Sequence, residues 1–257
     1  MARRLLEPFI ALAFVFAGAC GDDGGGGISL AEEPKSECIR PEEPHTYEVF
    51  FVIDVSGSMS PFLRDVRGEL VALADNLPEA DADGRRVRVD YYLIAFVNDA
   101  RMYGGRMTSV VALQSAFDEA IEDGLTNYNL NVRTFNAEEE ENLLDALTLA
   151  LDTNPSAEAK LFFIAADAPF VEAPRVLSES IPVQSKYTDV MQRLGVVGAR
   201  IHAFTEDQLD GLTRTFHQQP ALTTLPGSTV HALEDLRGAR EKIRGTLADI
   251  AARAACN

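Results

Sequence analysis

The chain has 257 residues, of which 46% are hydrophobic, enough for one domain with a real core plus a short appendage. Its formal charge of −17 leaves nothing to neutralise a phosphate backbone, which argues against nucleic acid as a partner. The acidity favours solubility and the attraction of cations, and says little about fold.

The first residues read as an export signal. Arg3 and Arg4 give a positive start, Phe9 to Phe16 is apolar but too short to span a membrane, and Ala17, Gly18 and Ala19 are small. Ala17-Gly18-Ala19-Cys20 resembles a bacterial lipobox, with alanine where leucine is usual three residues before the cysteine. By that resemblance residues 1–19 are removed and Cys20 becomes the acylated first residue, anchored stably by several acyl chains. The other reading is an ordinary signal peptide cleaved nearby, with Cys20 incidental. Gly21 to about Glu37 is rich in Gly, Asp, Glu, Pro and Ser, and reads as a disordered tether. Residues 20–37 are then anchor and tether, and the domain runs over 38–257. Gly21, where an aspartate is read as inner-membrane retention in enteric-type bacteria, favours the outer membrane of a bacterial cell envelope.

Val49-Phe50-Phe51-Val52-Ile53 is a continuous apolar run, and predicts a strand over Tyr47 to Asp54 that is buried on both faces. The run ends in Asp54-x-Ser56-x-Ser58, and Ser60-Pro61 reads as a helix N-cap with a first-turn proline. An acid and two hydroxyls therefore lie on a strand-to-helix loop, where open α/β sheets place their ligands. Phe62, Val66, Leu70, Leu73 and Leu77 recur at helical spacing and predict a helix that stops before Pro78. Asp83-Gly84 reads as a turn and Val87 to Phe96 as a second strand. Gly104-Gly105 is expected to turn a short hairpin, with Arg106 to Val111 as an edge strand. Leu113 to Ile121 reads as a helix ended by Gly124, and Thr126 to Asn136 as a polar loop. Glu138 to Asp152 follows as a helix, with Leu143, Leu144, Leu147 and Leu151 on its apolar face. Lys160 to Ala166 is a short apolar strand that ends in Asp167 and is broken by Ala168-Pro169. Then come a helix over Tyr187 to Leu194, a strand over Arg200 to Phe204 and a helix over Leu209 to Phe216. A last strand over Thr229 to Ala232 and an amphipathic helix over Asp235 to Ala254 complete the chain. Strands alternating with helices predict an α/β fold: a doubly wound, mainly parallel six-stranded sheet flanked by helices.

The order of elements, Asp54-x-Ser56-x-Ser58 after the first strand, and Ala165-Ala166-Asp167-Ala168-Pro169 after the fourth core strand resemble the von Willebrand factor type A family over roughly residues 38–256. In that family the motif residues form a metal-ion-dependent adhesion site, so the resemblance implies Mg²⁺ or Mn²⁺ here. Mg²⁺ is hard, octahedral and takes oxygen ligands, and Ser56 and Ser58 offer hydroxyl oxygens without charge. Asp54 is implied to hold a water and the serines, and Asp167 to do the same from a neighbouring strand. Few direct anions leave positive charge on the metal, which a partner's carboxylate can satisfy. The family's remaining ligand, usually a threonine at the start of the third major helix, falls near Glu141. Integrin β chains carry glutamate there, and Glu138-x-x-Glu141-x-x-x-Asp145-Ala146 resembles that form. Glu141 is the first candidate and Glu138 the second, with Thr126 and Thr134 as further alternatives. A coordinating Glu141 would tighten metal binding and weaken the pull on a partner's carboxylate.

Plainer readings stand beside these. Asp and Ser favour strand ends and capped turns, and acids in a first helical turn are favoured by the helix dipole without any metal. Ser60-Pro61-Phe62 lacks the adjacent aspartates of a second, integrin-type ion site. The resemblance, in a fold whose chain ends lie close together, also implies a disulfide between Cys38 and Cys256, which export would permit. Such a long loop is worth about 4 kcal/mol in the chain-entropy model; two free thiols are the alternative.

No His-Glu-x-x-His, P-loop, Gly-x-Ser-x-Gly or dinucleotide fingerprint is present, and His45, His202, His217 and His231 are scattered. The expectation is a membrane-anchored domain that binds a protein ligand presenting an acidic residue through Mg²⁺, and is not an enzyme. One alternative is a structural envelope scaffold with a metal-free site. Another is a Mg²⁺-dependent phosphatase with Asp54 as nucleophile, which Ser56 opposes by standing where a second acid is expected.

Overall fold

The computed structural model describes residues 45–80, 84–124, 140–157, 159–177, 181–206 and 208–254. Cys20, Cys38, Thr126, Thr134, Glu138 and Cys256 lie outside the described residues, and with them the signal, tether, lipid and disulfide readings. Among the described residues no helix is long and apolar enough to cross a membrane.

The strands are β1 (His45–Asp54), β2 (Val87–Phe96), β3 (Ala100–Met107), β4 (Ala159–Ala166), β5 (Arg175–Leu177), β6 (Ile181–Val183), β7 (Arg200–Thr205) and β8 (Thr229–Ala232). The helices are α1 (Ser60–Asn76), α2 (Val110–Glu122), α3 (Leu143–Leu151), α4 (Tyr187–Val197), α5 (Leu233–Leu236) and α6 (Arg240–Ala254). Six strands form one sheet in the order β3-β2-β1-β4-β7-β8, and β5 pairs with β6 in a separate hairpin. Every pairing in the large sheet is parallel except that of β2 with the edge strand β3.

The apolar run of β1 is why it takes a central place. Phe51 and Ile53 face a core shared with α1, α2 and α6, whereas Phe50 and Val52 face a second core shared with α3 and α4. Phe50 stacks between Tyr92 and Phe162, with ring centroids at 4.7 and 4.6 Å, and Phe51 stacks on Phe163 at 4.9 Å. Burying each such ring contributes about 1.5–3 kcal/mol. Helices on both faces of a mainly parallel sheet make the fold a doubly wound α/β architecture.

Several expectations need correction. Gly104 and Gly105 do not turn a hairpin: both take positive φ inside β3, where the β2–β3 register shifts. The chain instead reverses at Asn98 and Asp99, and Ser109 caps α2 by accepting from Ala112 N, so Val110 and Val111 are helical. Leu209 to Phe216 is a looped segment; its apolar side chains pack on Phe170 and Tyr187, and the Tyr187 hydroxyl meets the carbonyls of Gly211 and Pro220. The last helix is broken at Arg237-Gly238. The cap of α1 falls on Met59, without a side-chain bond, and Ser60 is already helical.

Candidate metal centre at the carboxyl edge of the sheet

β1 delivers Asp54 to the carboxyl edge of the sheet, fully buried. Val55 N still donates to Phe96 O at 3.0 Å, so the strand ladder runs one residue past Asp54 before the loop begins. Asp54 Oδ1 then accepts from Ser56 N at 2.7 Å, the turn that an aspartate two residues ahead favours. This folds the loop back and sets the Ser56 and Ser58 hydroxyl oxygens 3.0 Å apart, with Ser56 buried and Ser58 exposed. Gly57 between them is exposed.

Glu141 arrives differently from its expected place in a first helical turn. It is extended, in a parallel bridge with Phe170. Glu141 N donates to Pro169 O at 2.8 Å and Val171 N donates to Glu141 O at 3.1 Å. Asn142 N donates to Val97 O at 2.7 Å. These bonds tie the segment to the strand ends of β2 and β4, and α3 begins only at Leu143. Asp145, inside α3, accepts from the backbone of Gln184 and Ser185, which fixes the helix start.

The Glu141 side chain lies against that of Asp54, within hydrogen-bonding reach. Yet Asp54 Oδ2 and Glu141 Oε2 are both buried without a donor. Two carboxylates are both acceptors, so they bond only if one holds a proton. Burial, with the nearby charge of Asp167, pushes the Asp54 carboxyl up to about 7, against the lowering effect of its hydrogen bonds with Glu141 and Ser56. Burial and the Asp54 charge raise that of Glu141 well above the usual carboxylate range.

Asp167 follows β4 close enough to raise both carboxyls, but its Oδ2 accepts from Arg237 Nη2 at 2.8 Å. Arg237 Nη1 also donates to Glu206 Oε1 at 3.2 Å. Among the described residues no three His, Cys, Asp or Glu side chains form a ready metal cluster. The structure brings Asp54, Ser56, Ser58 and Glu141 together, and places Asp167 beside them in an ion pair. Hard oxygen donors, two of them buried carboxylate oxygens without partners, fit a small divalent cation. Arg237 carried no sequence signal, because its contact with Asp167 joins residues 70 apart.

No protein-family model matches the chain. No curated protein matches it in sequence. Among solved structures, the chain is similar to proximal thread matrix protein 1 from the mussel byssus, at 13% identity and a TM-score of 0.50, over 82% of this chain and 47% of that one. It is also similar to the human COPII-coat protein Sec24c, at 13% identity and a TM-score of 0.52, over 81% of this chain and 32% of that one. The chain thus spans about half the length of the first and a third of the second. The likeness is one of fold, and agrees with the doubly wound sheet described above.

Proposed function

We propose that the protein is a von Willebrand A-like, lipid-anchored module of a bacterial cell envelope. It holds Mg²⁺ or Mn²⁺ through Asp54, Ser56, Ser58 and Glu141, with Asp167 beside them, and binds an acidic residue of a partner protein at that ion. The observation that carries this reading is the pair of buried, donorless oxygens of Asp54 and Glu141 beside two hydroxyls. A cation between the two carboxylates would remove their repulsion and satisfy both oxygens. Ser56 and Ser58 would add neutral ligands, so charge density on the ion stays available to a partner carboxylate. With Glu141 as a direct ligand, the site would hold its ion more firmly and attract that carboxylate less than a threonine form. The reading is one of binding, without a bond made or broken.

A metal-free structural role is favoured by one observation, the ion pair that Asp167 already makes with Arg237. Calorimetric titration of Mg²⁺ and Mn²⁺ into the metal-stripped protein separates the two. Saturable binding of one ion, absent in Asp54→Asn, supports the adhesion-type site; no heat with either ion sinks it and leaves the scaffold. Replacing Cys20 by serine tests the anchor: loss of fatty-acid labelling and of membrane association is expected.

A further inference from the structure

Arg237 follows α5, and Arg237 N donates to Leu233 O at 2.9 Å. Gly238 then takes φ 71°, the left-handed region that lets the chain turn tightly into α6. That turn presents the arginine to the carboxyl edge of the sheet. Its Nη2 donates to Asp167 Oδ2 at 2.8 Å and lies 3.8 Å from the sulfur of Met59, in the loop that carries Ser56 and Ser58. Its Nη1 donates to Glu206 Oε1 at 3.2 Å. One planar guanidinium therefore spans the end of β4, the segment after β7 and the site loop, as a forked donor can and a lysine cannot. The arginine side chain is 38% exposed while that of Asp167 is only 10% exposed, so Arg237 lies over Asp167 on the solvent side.

We propose that Arg237 is a built-in counter-cation of this site: it engages Asp167 and covers the rim of the metal-free centre, and a divalent ion has to compete with it. The proposal rests on the metal-binding reading above. An ion delivered to Asp54 and Glu141 gains nothing from Asp167 while that carboxylate is held. It also meets the repulsion of a fixed positive charge at the rim. The affinity of the centre for metal is then set by Arg237 as well as by the ligands.

The test is Mn²⁺ titrated into the metal-stripped full chain, with free Mn²⁺ read by electron paramagnetic resonance. Arg237→Gln is expected to bind Mn²⁺ on the order of tenfold more tightly than the wild type. Arg237→Lys keeps the charge but cannot bridge both carboxylates, and should fall between the two. Adding Asp54→Asn to Arg237→Gln should abolish binding. In EDTA, Arg237→Gln should melt below the wild type, because the acids lose their counter-charge; the gain in affinity is then not a general gain in folding. Equal or weaker Mn²⁺ binding by Arg237→Gln overturns the counter-cation role and leaves the metal site standing. Absence of binding in both the wild type and Arg237→Gln overturns the role together with the site.

Discussion

The carboxyl groups of Asp54 and Glu141 meet in the interior, one at the end of β1 and the other in the bridge to Phe170, and neither free oxygen has a donor. Two buried like charges repel strongly at low dielectric, so the pair must hold either a proton or a cation. Which of the two it holds sets how the protein responds to pH and to metal.

Without metal, the pair makes stability fall as pH rises. The Asp54 carboxyl ionises at about 7 in the folded chain, against about 3.9 when unfolded. Below the unfolded value both states are protonated and the contribution is fully present. It is lost as pH rises to the folded value, because the unfolded chain gives up its proton first; the loss is on the order of a few kcal/mol. Urea unfolding in EDTA between pH 4 and 8 should show this slope in the wild type and a shallower one in Asp54→Asn, where the buried Glu141 carboxyl alone remains to ionise. Mg²⁺ affinity should rise over the same window, because the metal displaces the proton.

The serine hydroxyls are expected to matter to the metal and little to the fold. Ser58→Ala removes an exposed hydroxyl and should change stability in EDTA by less than about 0.5 kcal/mol. It should nonetheless weaken Mn²⁺ binding by about tenfold or more, which titration of both proteins would reveal. Unchanged affinity in Ser58→Ala and Ser56→Ala alike would mean that the hydroxyls are not ligands.

Gly124 supports the site from behind. A Cβ on it would lie 2.8 Å from Val55 Cβ and closer still to Val55 O, both at the start of the loop that carries Ser56. Gly124→Ala should therefore cost about 1–3 kcal/mol and weaken metal binding as well, measured by denaturant unfolding and Mn²⁺ titration.

Asp145 holds α3 in place rather than any ligand. It accepts from Ser185 N at 2.8 Å, from Gln184 N, and from Asn142 Nδ2 at 3.0 Å. Asp145→Ala leaves these donors unpaired and should destabilise the protein by about 2–3 kcal/mol. Because Asn142 adjoins Glu141, amide exchange should quicken around 140–145 before it does in β1.

What was legible in the sequence followed the apolar runs. Val87–Phe96 and Thr229–Ala232 are strands with the predicted bounds; the first is a continuous run whose last seven residues are buried, and the second is a short edge strand with none buried. Asp54, Ser56 and Ser58 were legible as a motif because they lie within five residues of one another, at the end of β1 and in the loop that follows. The conformation of Glu141 was not, since it is fixed by Pro169, Phe170 and Val97 from other elements. The acids before α3 suggested a helical turn, and the backbone bonds to the strand ends overrode them. Leu209, Leu212 and Phe216 mimic a helical period while packing as a loop around Tyr187. Arg237 gave no local signal at all.

The central claim is that a divalent cation belongs between Asp54, Glu141 and the two serines. Thermal melts of the wild type and Asp54→Ala in EDTA, Mg²⁺ and Mn²⁺ test it most directly. An ion at about a hundred times its Kd stabilises by about 2.7 kcal/mol, so the wild-type midpoint should rise by roughly 5–10 °C, while Asp54→Ala stays where it was in EDTA. A wild-type midpoint that is the same in EDTA, Mg²⁺ and Mn²⁺ would contradict the account, and the pair would then be held by a proton alone.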